Sequence, residues 1–328
     1  MSNLLDRLYH GMLRIRIIEE QIAEMYTEWE MRCPTHLCIG QEGPAVGVCA
    51  ALEKRDYVMG THRSHGQYLA KGGDLNAFIA ELYGKETGCC EGNGGSMHLI
   101  DLDMGFLGCV PIVGSTIPIA TGVALAVKQR GEDRVVVPFF GDGSTEEGVF
   151  YESLNYAALE NLPVVFACEN NLYSVYTPIG LRQPERRSLK GIADSMGLAY
   201  GFADGNAPEE VYAVTQEAVA RARSGEGPTL LEIPCYRWRE HCGPNYDDDL
   251  GYRPEGELKH HEALCCVKRM EEKLLADGTL TPEKVASYRA EILEESKAAF
   301  RFAKESPFPP AENLYKHIYA PAVEGSVR

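Results

Sequence analysis

The sequence predicts an α/β fold: a doubly wound parallel sheet with helical extensions at both ends of the chain. Short apolar runs at 135–140, 163–168 and 229–234 are typical of strands that are buried on both faces of a parallel sheet. Segments with helical character, 145–160 and 208–224, alternate with these runs. Such alternation indicates a doubly wound sheet, in which ligands bind at the carboxyl ends of the strands.

The first element along the chain is a helix predicted over residues 3–31. Its apolar residues recur at helical spacing, and its charged residues fall mostly on other faces. Pro34 is expected to end it, because proline does not continue a helix. A helix of this kind packs on a partner or caps a domain, and packing in the core explains the pattern equally well.

The later elements follow from composition and end signals. The helix over 208–224 has a proline and acids in its first turn and arginines in its last, the order that the helix dipole favours. Residues 236–256 lack periodicity and are rich in Gly, Pro, Asp and aromatics, which predicts a functional or disordered loop. Amphipathic helices return from 257 to about 304. The predicted parts are an N-terminal helix (1–31), an α/β domain with the active-site loop (32–256) and a C-terminal helical extension (257–328).

Composition excludes several classes of function. The 328 residues include 32 Lys and Arg against 48 Asp and Glu, a formal charge of −16. A chain this acidic repels nucleic-acid phosphates and anionic lipid, so we expect neither nucleic acid nor a membrane surface as partner. No apolar run reaches the roughly 18–20 residues that span a bilayer.

The cysteines and the first residues indicate the compartment. Eleven cysteines are scattered or adjacent, without a CxxC pair, so neither a zinc site nor a thioredoxin-like motif is predicted. The first twenty residues contain acids early and no cleavage signal of a secretory peptide. These features predict reduced thiols and a cytoplasmic protein.

The most informative segment is 141–171. Gly141-Asp142-Gly143 follows a buried strand and opens a helix, an arrangement that suits a phosphate. Asp142 would face that anion, which makes sense if a divalent cation lies between them. Asn171 follows the next strand and offers an amide oxygen, a ligand suited to Mg²⁺. A tight turn with a helix cap is the alternative explanation for the glycines alone.

GDG, 26 intervening residues and NN together resemble the thiamine-diphosphate motif. The flanking segments resemble the alpha subunit of the decarboxylating first component of 2-oxo acid dehydrogenase complexes, over residues 10–255. The matching segments are HLCIGQEGPAVGVCAAL (36–52), THRSHG (61–66), GNGGSMHL (92–99), IVGSTIPIATGVALA (112–126) and YRWREH (236–241).

The resemblance implies a cofactor site holding thiamine diphosphate and Mg²⁺. The implied metal ligands are the side chains of Asp142 and Asn171 and the carbonyl of Tyr173. Backbone contacts to the diphosphate would come from Gly143 and Ser144. The other residues implied to bind the cofactor are His62, Arg63, which pairs with the diphosphate, Ile112 and Val113, which meet the aminopyrimidine, and His241.

The resemblance also implies the reaction. The cofactor would serve as electron sink for cleavage of a carbon–carbon bond next to a carbonyl of a small oxo substrate, and the acyl unit would pass to a lipoyl acyltransferase. His241 is the implied catalytic residue, with His36 and His65 ranked second. The glutamate that activates the cofactor would come from a beta subunit, in an assembly of two alpha and two beta chains.

Departures from the family pattern leave the substrate open. His62 stands where Tyr is common, Pro111 stands where Gly is common, and Cys242 replaces a phosphorylatable serine. The acids 247–249 either discourage an anionic substrate or form solvated surface. Pyruvate, acetoin or a related compound is the leading expectation for the substrate. The alternatives are a ligase or transketolase-like enzyme that transfers a two-carbon unit to a carbonyl or sugar, and a non-catalytic scaffold subunit.

Overall fold

The computed structural model describes residues 2–31, 33–316 and 318, so the predicted boundaries at residues 1, 32 and 328 lie outside the described residues. The helices are α1 Ser2–Met25, α2 Glu42–Ala50, α3 His65–Lys71, α4 Leu75–Leu82, α5 Thr116–Arg130, α6 Gly148–Leu159, α7 Ile179–Arg182, α8 Leu189–Met196, α9 Pro208–Arg223, α10 Glu257–Ala263, α11 Cys266–Ala276 and α12 Pro282–Glu305. The strands are β1 Tyr57–Gly60, β2 Phe106–Cys109, β3 Val136–Gly141, β4 Val165–Asn170, β5 Tyr173–Ser174, β6 Thr177–Pro178, β7 Ala199–Phe202 and β8 Thr229–Pro234.

Six strands form one parallel sheet in the order β2-β1-β3-β4-β8-β7, which confirms the predicted α/β fold. The three predicted strands are β3, β4 and β8, each within two residues of its expected position. The strand order reverses between β1 and β3. In a doubly wound sheet that reversal opens a crevice beyond the strand ends, so the segments after β1 and β3 flank the natural ligand site.

Apolar side chains on both faces of the sheet explain why its strands are continuous hydrophobic runs. Along β3 and the residue before it, Val135, Val137 and Phe139 point to one core, and Val136 and Phe140 point to the other. The first core contains helices from both ends of the chain, and the second contains α5, α6 and α8. The sheet is therefore buried on both sides, as parallel sheets are.

The N-terminal helix is shorter than predicted. α1 ends at Met25 and continues as a 3-10 turn, Tyr26–Glu28, well before Pro34. Trp29 then adopts a left-handed conformation (φ 62°), which a helix cannot continue. The apolar stripe of α1, including Leu8 and Ile18, is fully buried in the first core, so packing against the rest of the chain accounts for it.

The loop 236–256 has no helix or strand, as predicted, yet it is held in place by a buried ion-pair cluster. Asp247 lies 3.2 Å from the Arg237 guanidinium and 2.9 Å from that of Arg253. Of the two alternatives for these acids, solvated surface is therefore wrong for Asp247, whose burial two guanidinium groups compensate. Asp248 and Asp249 are exposed, which agrees with the alternative of solvated surface.

All eleven cysteines are free thiols. Among the described residues no helix has both the length and the apolar content to cross a membrane.

Candidate functional site

A cavity of about 260 Å³ lies at the reversal of strand order, beneath the loop 236–256. Its walls contain all the predicted site residues except His65: His36, His62, Arg63, Ile112, Val113, Asp142, Gly143, Ser144, Asn171, Tyr173 and His241. The topology thus brings together residues that are up to 205 positions apart in the sequence, from His36 to His241. Their individual roles stay predictions.

Other lining residues were not predicted from the sequence to bind the cofactor or to act in catalysis. Three of them could have been predicted, because they lie in the segments that resemble the family or in the ENN triplet: Gln41, Glu169 and Arg237. The remaining members are Thr61, Met97, Val110, Pro111, Gly141, Ser174 and Val175. Glu169 is buried and accepts two hydrogen bonds from the Gln67 amide, at 2.8 and 2.7 Å.

Asp142 follows β3 and is almost fully buried. Burial raises the pKa of its carboxyl group, and the Arg182 guanidinium lowers it in opposition. Arg182, at the end of α7, forms ion pairs with both Asp142 and Glu146. No motif in the sequence pointed to Arg182. The Arg182 guanidinium therefore pairs with the Asp142 carboxylate, which the sequence predicts to be a metal ligand.

The segment after β4 combines hydrogen-bonded polar side chains with a backbone that is strained at two residues. Asn171 accepts a hydrogen bond from the Tyr173 amide at 3.2 Å and donates one to the Gln41 side chain at 2.8 Å. Leu172 and Val175 have φ values of 70° and 55°, in the left-handed region that costs a non-glycine residue free energy. Strain of this kind persists where surrounding contacts impose it, and it is frequent at ligand sites.

Arg63 is a buried cation without an acidic partner. Its guanidinium donates to the Leu37 carbonyl at 2.5 Å and to the His241 carbonyl at 2.9 Å. Within the described residues no carboxylate lies at ion-pair distance from it, although most other buried guanidinium groups here have one. Burial, together with the charge of Arg237, lowers the pKa of Arg63 to about 9. An anion bound in the cavity would supply the missing counter-charge.

Three imidazole rings, those of His36, His62 and His241, form a second wall of the cavity, named here the imidazole trio. Their ring centroids lie 4.8, 5.0 and 5.2 Å apart. Burial, followed by the charge of Arg63, lowers the pKa values of His36, His62 and His241 to about 2, 3 and 4. All three rings are therefore neutral near pH 7. The Nδ1 atom of His36 is buried without a hydrogen-bond partner.

His65 lies behind this wall and is fully buried. One ring nitrogen is 2.5 Å from the Glu19 carboxylate and the other is 2.7 Å from the Ser96 hydroxyl. Ser96 also accepts a hydrogen bond of 3.4 Å from the His36 amide. Through Ser96, His65 can help to position His36. Because it is enclosed, His65 has no direct access to a substrate.

The rim of the cavity is apolar and exposed. Ile112 and Val113 are 69% and 47% accessible in the isolated chain. An adjacent pair of large aliphatic side chains at the mouth of a polar cavity suits contact with a flat apolar group or with another chain.

Comparisons with known proteins agree on one family. The family model described as "Dehydrogenase E1 component" matches residues 10–312. The chain is 37% identical to the alpha subunit of acetoin:2,6-dichlorophenolindophenol oxidoreductase from Bacillus subtilis, over 98% of this chain and 95% of that protein. It is 36% identical to the chloroplastic pyruvate dehydrogenase E1 component subunit alpha-3 from Oryza sativa subsp. japonica, over 95% of this chain and 75% of that protein. It is 34% identical to the pyruvate dehydrogenase E1 component subunit alpha from Rickettsia typhi, over 95% and 94% of the two chains.

Proposed function

The chain belongs to the dehydrogenase E1 component family, and from that premise we propose that it is the alpha subunit of an enzyme that cleaves the carbon–carbon bond next to a carbonyl group. The family uses thiamine diphosphate, which supplies the electron sink for that cleavage when it is bound. The proposed substrate is a small compound such as pyruvate or acetoin. The comparisons favour neither the transketolase-like alternative nor the scaffold alternative.

The burial of Arg63 without an acidic partner is the observation that carries this proposal. A buried guanidinium that lacks an acid and faces a cavity fits a bound diphosphate, to which its planar fork can donate two parallel hydrogen bonds. Gly143 lets the chain pass close to the next segment, because a Cβ atom there would lie 3.0 Å from the Ser174 hydroxyl. The amides of Gly143 and Ser144 are proposed as further donors.

Mg²⁺ is proposed to lie between the diphosphate and the chain, held by the oxygens of Asp142 and Asn171 and by the Tyr173 carbonyl. These donors are hard oxygen ligands from two neighbouring strand ends, the type that Mg²⁺ prefers. The Tyr173 hydroxyl donates to Glu257 at 2.6 Å, which anchors the residue by its side chain and leaves its backbone to the site. Arg182 must release Asp142 before a cation binds there.

The imidazole trio is proposed to serve the reacting carbonyl. Each neutral imidazole offers one N–H donor and one acceptor nitrogen. An anion bound to Arg63 would remove one of the causes that lower the pKa of His241, which would bring its proton exchange closer to neutral pH. His241 is on the loop that covers the cavity, so we assign it the proton transfers and assign His36 a hydrogen bond to the substrate oxygen. Arg237 has its charge balanced by Asp247.

A beta subunit completes the enzyme, as the family implies. We propose that it covers the exposed Ile112 and Val113, supplies the glutamate that activates the cofactor, and assembles as two alpha with two beta chains. A lipoyl acyltransferase is the proposed acceptor of the acyl unit.

Calorimetric titration of thiamine diphosphate with Mg²⁺, into this chain alone and into its complex with a co-expressed beta chain, tests the proposal. We expect binding that appears or tightens in the complex, and turnover of pyruvate or acetoin there. The Asp142→Ala variant should lose Mg²⁺-dependent binding while circular dichroism shows an intact fold. The absence of binding in both samples would refute the proposal, and unchanged affinity in Asp142→Ala would refute the metal ligand assignment.

A further inference from the structure

We propose that the imidazole trio is itself a binding site for a borderline-soft divalent cation, of which Zn²⁺ is the natural case, distinct from the Mg²⁺ position. One ring nitrogen from each of His36, His62 and His241 lies within 4.8 Å of the others. Three histidine ligands that leave a fourth position open form the ligand set of many zinc sites.

To close on an ion, the three ring nitrogens must approach one another by up to about 1.5 Å from their present separation of within 4.8 Å. Zinc–nitrogen bonds of about 2.0–2.1 Å in a tetrahedral site place the nitrogens roughly 3.3 Å apart. Two of the three rings are partly exposed and are carried by loops, His62 after β1 and His241 in the segment 236–256. Rotation of these two side chains would bring their ring nitrogens toward His36, which is buried in the wall.

The His36 ring supplies a second, independent observation. This residue is 5% exposed, and its Nδ1 atom has no hydrogen-bond partner. A buried polar atom without a partner is costly, so this ring would gain from a bound cation. The three rings are also neutral at pH 7, the form in which histidine binds metals, so no proton has to be displaced.

The chemistry of the donors separates this site from two others. Asp142 and Asn171 offer oxygen ligands, which favour Mg²⁺, whereas imidazole favours zinc and its transition-metal neighbours. Glu81, Cys89 and Cys90 also cluster, but both Glu81 oxygens accept backbone N–H groups, from Cys90 at 2.8 Å and from Gly94 at 2.6 Å among others. The carboxylate there is already used, which leaves two thiols.

Arg63 is the main opposing charge. Its guanidinium lies 3.4 Å from the Nδ1 atom of His241, so a second cation is repelled while Arg63 has no anion. An anion that binds Arg63 removes this repulsion, and a sulfate buffer serves that purpose in the test. Zinc bound to the trio would inhibit the assembled enzyme because it would occupy His241, an expectation that rests on the proposed function. The binding site itself does not depend on that function.

Cobalt(II) titration of the full-length, chelator-treated chain in sulfate buffer at pH 7.5 tests the site by visible absorption. We expect one Co²⁺ to bind per chain and to give the strong visible bands of four-coordinate cobalt. No thiolate charge-transfer band should appear in the near ultraviolet, and Zn²⁺ should displace the Co²⁺. His62→Gln and His241→Gln should each weaken binding by more than about tenfold, the lower bound for disturbing a metal-bound histidine. The exposed His260 provides the matched control, His260→Gln, which should bind as the unaltered chain does.

Three results would overturn the proposal. A thiolate band would place the ion at Cys89 and Cys90. A weak six-coordinate spectrum that disappears in Asp142→Ala would place it at the oxygen ligands. Affinities in His62→Gln and His241→Gln equal to that of His260→Gln would show that the trio does not bind the metal. Circular dichroism of each variant keeps loss of fold apart from loss of a ligand.

Discussion

The two walls of the cavity handle buried charge in opposite ways. At the strand ends, Asp142 is compensated by the Arg182 guanidinium. At the second wall, Arg63 is buried without an acid, and the imidazole trio beside it is held neutral. The difference teaches that Arg63 is prepared for an anion, whereas the Asp142 carboxylate already has a side-chain cation beside it. An anion completes Arg63 directly, whereas a metal ion has to displace Arg182.

The largest test of this contrast is Arg63→Met, which should change stability and binding in opposite directions. Removal of an unpaired buried charge should leave the midpoint of thermal unfolding unchanged or higher, because its burial is uncompensated. Binding of thiamine diphosphate to the complex with the beta chain should weaken by about 2–5 kcal/mol, roughly 30- to 5,000-fold in Kd.

Arg253→Met is the matched control, since Arg253 is equally buried but is paired with Asp247 at 2.9 Å. Breaking that pair should destabilise the chain by about 3–5 kcal/mol. Scanning calorimetry of both variants decides the point. A loss of stability in Arg63→Met as large as in Arg253→Met would show that Arg63 is structural.

His241→Gln is the next test and concerns the imidazole wall. If His241 carries the proton transfers, kcat of the assembled enzyme should fall by at least about 100-fold, the usual lower range for an acid–base residue. The Kd of thiamine diphosphate should stay within about threefold, because the Arg63 donors to the cofactor remain. The exposed His260→Gln should keep full activity, and full activity in His241→Gln would remove that residue from the mechanism.

Arg182→Gln probes the strand-end wall. Without the competing guanidinium, the affinity of the free chain for Mn²⁺, measured by the electron paramagnetic resonance of unbound Mn²⁺, should rise by about 1 kcal/mol, roughly fivefold. Arg186→Gln, an exposed arginine of the same segment, should leave the affinity unchanged. Weaker Mn²⁺ binding in Arg182→Gln would mean that Arg182 supports the metal site.

The same contrast explains what the sequence could predict. Asp142 and Asn171 follow buried strands, and the parallel sheet brings the ends of β3 and β4 together, so a local pattern was sufficient to place them. Arg182 lies in no pattern, because its contact with Asp142 depends on how the chain turns back after β6. The strands β1, β2 and β7 were missed because each has only four residues.

Individual histidines were predicted by resemblance to the family. What each of them does depends on tertiary packing, which the spacing of residues in the sequence does not reveal. His62 and His65 are three residues apart, yet one ring faces the cavity and the other is enclosed between Glu19 and Ser96. The helical turn that begins at His65 separates them. Membership of the imidazole trio could therefore be read only from the fold, since His36 and His241 approach His62 from distant segments.

The smallest expected effect comes from the strained turn of the strand-end wall. Val175 has a left-handed φ of 55° and an exposed side chain, so Val175→Gly removes strain with little loss of packing. Because a left-handed conformation costs a residue with a Cβ atom about 1–2 kcal/mol, partly offset by the entropy of glycine, we expect a gain of up to about 1 kcal/mol in the free energy of unfolding. Val113→Gly, at an equally exposed valine of the rim that is not left-handed, should give no gain. Denaturant unfolding measures both, and equal changes in the two variants would show that the turn between β5 and β6 stores no strain for the site.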